Sequence, residues 1–508
     1  MSKENQSSMT DKSIDKTIFF ATISTIVVIA LLLTQFSKKG TEILNVLFNF
    51  ATDDLGVVFL GFGVLALIFL VWLMFSKYGN VKFGTGKPEY STFSWIGMMF
   101  TAGLGSTIFL WSTTEWGYHV LKPPFGIEPL SQAAQEWSLS YGMFHWGITA
   151  WAFYCLPSLA IAYAVHNRKK SALNLSIVCE GILGKYADGL FGKIINILFT
   201  FGLFGGIGTS LGLNIPMVAK GVAEIFGVEP SMTLNIGMLI FVTLIFTISS
   251  YIGLEKGLKN LSASSTYIAL SLAAFVIVVG PTKFILNNSF NSVGLMFQNY
   301  MQMSTCTDPI GKSGFPQGWT IFYWAWWIAL SPFMGIFVTK ISKGRTIKQL
   351  ILAMTLAGSA GCWFFYGIFG SYAMNLEIAG KLKVTEILNA GGTADGVYAI
   401  FETLPLSSLV IIVFTVLCIL ALSVHIDSSA YTLAAATTKN LSENEHPARW
   451  HRLFWAIALS LLPLSLMQTG TGTLQNLQTL STITAIPIVV IVILMIASMM
   501  KWLQQDYK

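Results

Sequence analysis

The chain has 508 residues, of which 54% are hydrophobic and only 11% charged, with a formal net charge of +6. Soluble domains carry about 25% charged residues, so a large water-exposed surface is excluded. Apolar runs of roughly 20 residues recur throughout, which predicts an all-α membrane protein in one domain. The five cysteines, Cys155, Cys179, Cys306, Cys362 and Cys418, form no CxxC pair and read as small packing residues rather than a disulfide framework.

In chain order, residues 1–16 are a polar tail, and no small-residue cleavage site follows the first apolar run. Twelve spans are predicted near 17–36, 56–76, 92–113, 138–164, 191–214, 233–253, 262–281, 318–338, 349–374, 404–426, 453–468 and 478–500. The first two form a peripheral unit, residues 17–76. Spans 3–7 (92–281) and 8–12 (318–500) form two five-helix repeats of inverted topology. Residues 282–317 connect the repeats, with an amphipathic stretch near Phe290 to Met303 along the membrane surface, and 501–508 are a short tail.

Loop charges orient the chain. One side carries Lys77, Lys82, Lys87, Arg168, Lys169, Lys170, Lys340, Lys343, Arg345, Lys348, Arg449 and Arg452; the other carries Glu128, Glu136, Glu224, Glu229 and the uncharged turn at Thr471. The positive-inside rule then puts both termini in the cytoplasm of a bacterial-type inner membrane. It also accounts for the net charge without a nucleic-acid partner. The Lys340–Lys348 stretch reads as a topology anchor able to touch anionic lipid.

Two spans carry helix-loosening residues: Gly103-Leu104-Gly105-Ser106 in span 3, and Ser331-Pro332 followed by Gly335 in span 8. Such interruptions survive in a membrane where protein or a watery cavity satisfies the freed backbone groups. A matched pair in two repeats points to a midplane site; close helix packing through small residues is the alternative. The run Gly202 to Gly212 lacks the lysine of a phosphate loop and reads as helix packing.

The most informative segment is Trp319-Thr-Ile-Phe-Tyr323-Trp324-Ala-Trp326-Trp327, continuing to Leu330 and Met334. At 3.6 residues per turn, Trp319, Tyr323, Trp326, Trp327, Leu330 and Met334 share a stripe and Trp324 lies on another face. Span 4 adds Phe144-His145-Trp146, then Trp151 and Tyr154 three apart, and span 3 ends with Glu115-Trp116-Gly117-Tyr118. Each buried indole N–H needs a partner. A cage of Trp and Tyr faces attracts a cation by about 0.5–2 kcal/mol per contact and suits a trimethylammonium head, which has no N–H to donate. An aromatic packing core has the same periodicity, and spacing leaves both readings open.

These residues resemble the betaine/carnitine/choline transporter family. The run Thr307-Asp-Pro-Ile-Gly…Gly314-Phe-Pro-Gln317-Gly-Trp319…Trp326-Trp327…Ile341-Ser-Lys-Gly-Arg345 is very similar to that family's signature, supported by Lys122-Pro-Pro-Phe125 and Gly253-Leu-Glu-Lys-Gly257. The resemblance covers about residues 80 to 500. It implies twelve spans, two inverted repeats and commonly a homotrimer in the bilayer. By position, Trp146, Trp151, Tyr154 and Trp327 match the family's cage, Trp326 lies beside it, and Trp319 matches an outer waiting site. Tyr118 matches a cage tyrosine of the carnitine/γ-butyrobetaine exchanger branch. Leu330 departs from the Trp or Tyr that many members carry, which leaves the substrate's tail open, and Met334 completes the stripe.

Coupling is where the sequence departs most. Sodium-coupled members bind the ion between the broken span 3, here at Gly103 and Leu104, and hydroxyls on span 10. A hard cation needs such clustered oxygens. This chain has Ser423-Val424-His425-Ile426-Asp427-Ser428, with valine and histidine where the hydroxyl pair stands. The exchanger branch fills that space with an arginine on span 7; the matching position here is Ser265. His425 is therefore expected in the vacated space, as a partner of Asp427 or as a titrating group, or else simply bonded to backbone.

Glu115 and Asp427 are the acids nearest the pathway and read as structural hydrogen-bonding groups, and His145 as a packing histidine. No His/Cys/Asp set has metal-ligand spacing, and no cofactor motif is present. An enzyme would need a nucleophile with its base, and a channel would need filter rings about an axis. The reading is a carrier: sodium-independent exchange of carnitine- or betaine-like solutes, the alternative being proton- or sodium-coupled uptake of glycine betaine or choline for osmoprotection. The short stretch from Lys501 to Lys508 disfavours osmotic gating.

Overall fold

The computed structural model describes residues 14–35, 37–102, 106–171, 174–252, 255–439, 441, 446–468 and 473–507. The Gly103-Leu104-Gly105 interruption, Gly253-Leu254, the turn at Thr471 and most of the N-terminal tail lie outside these residues. The principal helices are α1 (Lys16–Gln35), α2 (Gly56–Phe75), α3 (Thr92–Ala102), α4 (Ser106–Leu121), α5 (Gln132–His145), α6 (Ile148–His166), α7 (Leu190–Phe226), α8 (Met232–Ile252), α9 (Glu255–Val279) and α10 (Thr282–Gln298). After them come α11 (Phe322–Ile341), α12 (Ile347–Ile378), α13 (Ser407–Ala436), α14 (Arg449–Gln468) and α15 (Thr473–Asp506). The described residues contain no strand, only two isolated bridges. The protein is an all-α membrane protein.

Seven described helices are long and apolar enough to cross a membrane, or eight if one bent pair counts as a span. Their burial sorts centre from rim. In the span Gln132–His166, 94% of the apolar window is buried within the protein, against 39% for Gly56–Phe75. A helix that is apolar all round and yet little buried presents its surface to lipid, so α2 belongs to the periphery. The most extensive helix interface joins α6 to α11, and α7 packs on α11, α13 and α15.

The bent pair is α9 and α10, at 113°. Its corner is Gly280-Pro281. Proline lacks an N–H and disfavours helical backbone at the residue before it, so α9 ends at Val279 and the chain restarts across α5 and α12. The expected surface stretch near Phe290 to Met303 thus forms the end of α10 and a short helix, Tyr300–Thr305.

The expected interruption at Ser331-Pro332 does not break α11. Pro332 removes the N–H that would bond the Ile328 carbonyl, and the Ser331 hydroxyl donates to that same carbonyl at 2.8 Å instead. The central break lies elsewhere, between α5 and α6 at Trp146-Gly147. Its freed backbone groups find side chains: Trp363 Nε1 donates to the Met143 carbonyl at 2.8 Å, and the Thr149 N–H donates to Tyr300 Oη at 3.1 Å. A Cβ on Gly147 would meet the Met143 carbonyl at 2.6 Å, so a side chain there would crowd the break.

Residues Ile341 to Arg345 form a clamp rather than a lipid-facing run. Arg345 is buried, donating to the Tyr90 carbonyl at 2.7 Å and Thr92 Oγ1 at 3.0 Å with its guanidinium over Trp95. Its backbone pairs with Phe83. Arg345 thus points into the fold, while Lys340 and Lys343 of the same stretch are exposed.

Candidate functional site

Four aromatic rings from three helices, α5, α6 and α11, meet beside the break at Gly147. Tyr154 and Trp327 have centroids 4.6 Å apart, Trp146 and Trp327 5.4 Å, Trp151 and Tyr154 5.8 Å, and Trp151 and Trp327 6.0 Å. Trp146 reaches the group from the end of α5 and Trp151 and Tyr154 from the first turns of α6, so the break lets one stretch of chain supply rings from two directions. Trp327 answers from α11. Their mutual angles run from 51° to 82°, the edge and tilted arrangements that ring quadrupoles favour.

The indole N–H groups of Trp146 and Trp151 are buried and make no hydrogen bond, a state shared by Trp111 and Trp324. Buried tryptophans ordinarily find a partner, so Trp146 and Trp151 are unlike Trp326, whose Nε1 donates to the Gly206 carbonyl at 3.1 Å. Trp326 stacks on Phe322 at 5.6 Å and 18° and only its edge approaches Trp146, at 6.3 Å. It braces the set. Leu330 lies against Gly206, where an added Cβ would meet its Cδ2 at 2.6 Å, so the glycine run of α7 lets that helix approach the stripe. Met334, one turn further along, is partly buried. Trp324 faces away, packing on Phe144 and Phe153 at 5.2 and 5.6 Å.

Trp151 rests on the backbone of Gly358, where an added Cβ would collide with the indole. Gly358 ends a π-helical turn, Ala353–Gly358, and a second one spans Tyr366–Gly370. Such turns cluster at functional sites because they re-aim side chains.

Trp319 and Tyr118 lie apart from the four rings. They face each other at 6.0 Å, and Trp319 also touches Trp111 at 5.6 Å and Tyr323 at 6.2 Å. Tyr118 Oη lies 2.9 Å from Thr393 Oγ1. The two therefore form an outer aromatic group, joined to the inner one through Tyr323, whose ring is 6.0 Å from Trp146.

Sequence reasoning left Glu115 as a structural acid and His145 as a packing residue, and did not single out His119 or Tyr366. In the fold all four meet. Glu115 is fully buried; its Oε1 is 2.8 Å from His145 Nδ1, and its Oε2 accepts hydrogen bonds from Tyr323 Oη at 2.8 Å and from Tyr366 Oη. His119 is one helical turn from Glu115, so the i,i+4 spacing was the available signal. Tyr366 comes from α12, 251 residues away, and no local pattern announces it.

On α13 the hydroxyls turn inward to their own helix. Ser423 donates to the Ile419 carbonyl and Ser429 to the His425 carbonyl, each at 2.7 Å, and Thr432 donates to the Ser428 carbonyl at 2.8 Å. His425 Nε2 is buried without a hydrogen-bond partner, and Phe333 is its ring neighbour at 6.5 Å. His425 and Asp427 form no hydrogen bond with one another; residues two apart on a helix point to different faces. Gly103 and Leu104, the other coupling candidates, lie outside the described residues.

The family model for betaine/carnitine/choline family transporters matches residues 17–508. The chain is 40% identical over 444 residues to an uncharacterised transporter of Escherichia coli K12, YeaV, covering 87% of this chain and 92% of that protein. It is 35% identical over 507 residues to a carnitine transporter of Acinetobacter baumannii, covering 100% of this chain and 91% of that one. With the matched model reaching almost from end to end, the chain belongs to the betaine/carnitine/choline transporter family and is a membrane transporter, not an enzyme.

Proposed function

We propose that the protein carries trimethylammonium solutes by alternating access, exchanging carnitine- or betaine-like substrates without sodium. The observation that carries this reading is the ring set Trp146, Trp151, Tyr154 and Trp327, assembled from α5, α6 and α11 beside a helix break. Ring faces hold the methylated head by cation–π attraction. Trp319 and Tyr118 serve as an outer waiting position, Trp326 braces the cage, and Leu330 and Met334 set the room left for the substrate's tail. The similarity to a carnitine transporter supports the substrate class.

Sodium independence rests on the sequence of α13, where Val424 and His425 stand in place of the hydroxyl pair that a hard cation would need. His425, Asp427, Ser428, Gly103 and Leu104 remain the coupling candidates. The carrier is read as a homotrimer of twelve-span chains in an inner membrane, with residues 92–281 and 318–500 as inverted repeats and both termini cytoplasmic.

The test is counterflow of labelled substrate in proteoliposomes preloaded with L-carnitine, γ-butyrobetaine, glycine betaine or choline, with sodium or with potassium at equal ionic strength. Uptake only into loaded vesicles, equal in both salts, is expected. Uptake into empty vesicles driven by a sodium or proton gradient would instead make the protein a symporter.

A further inference from the structure

Counting protons around Glu115 exposes a vacancy. His119 Nδ1 lies 3.0 Å from the Ser138 carbonyl, which can only accept, so Nδ1 carries the hydrogen and the lone pair of the neutral ring sits on Nε2. That Nε2 is buried, makes no hydrogen bond, and faces Glu115 Oε1 at 3.5 Å. With Glu115 ionised, Oε1 is itself an acceptor: neutral His145 then donates to it from Nδ1 at 2.8 Å and accepts at Nε2 from Thr320 Oγ1, 3.1 Å away. Two acceptors thus abut in an interior with no proton between them. Filling the gap with one proton on His119 Nε2 turns the contact into an imidazolium–carboxylate hydrogen bond, for which donor and acceptor approach to about 2.8 Å.

Among the described residues no other charged group pairs with Glu115 or His119 to settle the balance. Facing the pair are Tyr141, His145 and the Ser138 carbonyl from α5, Phe315 and Trp319 from the stretch before α11, Tyr323 from α11 and Tyr366 from α12. Among the described residues only His119 and His145 come within ion-pair distance of Glu115. The cluster therefore carries −1 without the extra proton and 0 with it. The donor atoms of Glu115, His119 and His145 lie within 4.8 Å of one another. A metal, however, would have to break the 2.8 Å His145–Glu115 hydrogen bond, whereas a proton completes the network as it stands.

Tyr323 and Tyr366, both hydrogen-bonded to Glu115, each have their ring 6.0 Å from Trp146. The variable charge thus stands one ring behind the inner aromatic group. We propose that Glu115 and His119 form a proton-binding pair behind the cage, and that a trimethylammonium head in the cage expels the proton. This rests on the cage reading above. The proton belongs to the pair rather than to either residue; on substrate binding it leaves for solvent, and the carboxylate charge it uncovers attracts the incoming cation from behind Tyr323 and Tyr366. Affinity then rises with pH.

Purified carrier is titrated with L-carnitine, γ-butyrobetaine, glycine betaine and choline in weak buffer from pH 5 to 8.5, with an indicator dye reporting released protons and calorimetry reporting affinity. Expected are release of up to one proton per chain and binding about tenfold weaker at the acid end than at pH 8. Both effects vanish in His119→Gln and Glu115→Gln, with His119→Asn standing in if the glutamine variant does not fold. Binding with pH-independent affinity and no release overturns the proposal, as does release that persists in the His119 variants, or one tightly held zinc per purified chain. If none of the four quaternary-ammonium compounds binds, the cage reading fails separately. A difference titration of substrate-free wild type minus His119→Gln then decides the pair: one extra titrating proton between pH 5 and 8.5 supports it, and none overturns it.

Discussion

Two neighbouring regions share Trp146 and are built on opposite principles. The inner cage is made of rings at 4.6–6.0 Å with two indole N–H groups unbonded. The cluster around Glu115 is polar and fully buried, and each group in it but His119 Nε2 has its bond. Ring faces are non-directional and tolerate an occupant that comes and goes. A buried carboxylate tolerates no such looseness, because an unpaired charge in a low dielectric is expensive. The cage is therefore expected to govern the cation–π part of affinity, and the cluster to govern integrity and, through its proton, the pH dependence of binding.

The sharpest way to break this comparison is Glu115→Ala. It orphans Tyr323, Tyr366 and His145 at once, and a loss of about 3–5 kcal/mol is expected, the range for breaking a buried charged network from one side. Thermal unfolding of the detergent-purified protein checks it: unchanged stability would show that the cluster supports nothing. Trp327→Leu comes next, with nearly normal thermal stability but substrate binding weakened by about 2 kcal/mol, or thirtyfold, from the lost cation–π face. Equal binding in a calorimetric titration would remove Trp327 from the cage.

Gly358→Ala separates position from identity. The new methyl displaces the Trp151 indole while every ring remains, and overpacking of this kind costs about 1–3 kcal/mol. Roughly tenfold weaker binding is expected, and none if Trp151 is merely packing. Trp326→Phe should cost less, about 1 kcal/mol or fivefold, since it removes one hydrogen bond to Gly206 and keeps most of the stacking on Phe322.

The smallest effect lies outside both regions, in the loop before α11. There Asp308 Oδ2 accepts the Ser313 N–H at 2.8 Å and Oδ1 accepts the Gly311 N–H at 3.1 Å, and these donors, Ser313 foremost, hold its carboxyl below the usual carboxylate range. A depressed pKa means the contribution is present above the unfolded value near 4 and is lost as pH falls below it. Asp308→Ala should lower stability by well under about 1 kcal/mol at neutral pH, given the exposure. The difference from wild type should close in acid; a gap that widens there would refute the assignment.

Much of the cage was legible from residues because a helix has a fixed period. Trp327 on one stripe, Trp324 on another, and Trp151 three before Tyr154 follow from 3.6 residues per turn, and the fold honours each. Where helices stop was less legible, because a break is decided by whether some other element can satisfy the freed groups. Ser331 repaired Pro332 locally, so that interruption vanished, whereas Gly147 opened one only because Trp363 and Tyr300 lie within reach.

The sequence by itself determined the all-α membrane class, the family, and which rings can share a face, since composition and helical period are local properties of the chain. Only the tertiary structure decided that Tyr118 pairs with Trp319 outside the inner group, that Arg345 is spent inside the fold, and that Glu115, His119, His145, Tyr323 and Tyr366 form one network. Their hydrogen bonds cross up to 251 residues of chain. Such contacts are set by which helices pack together, and no periodicity along a single helix encodes that choice.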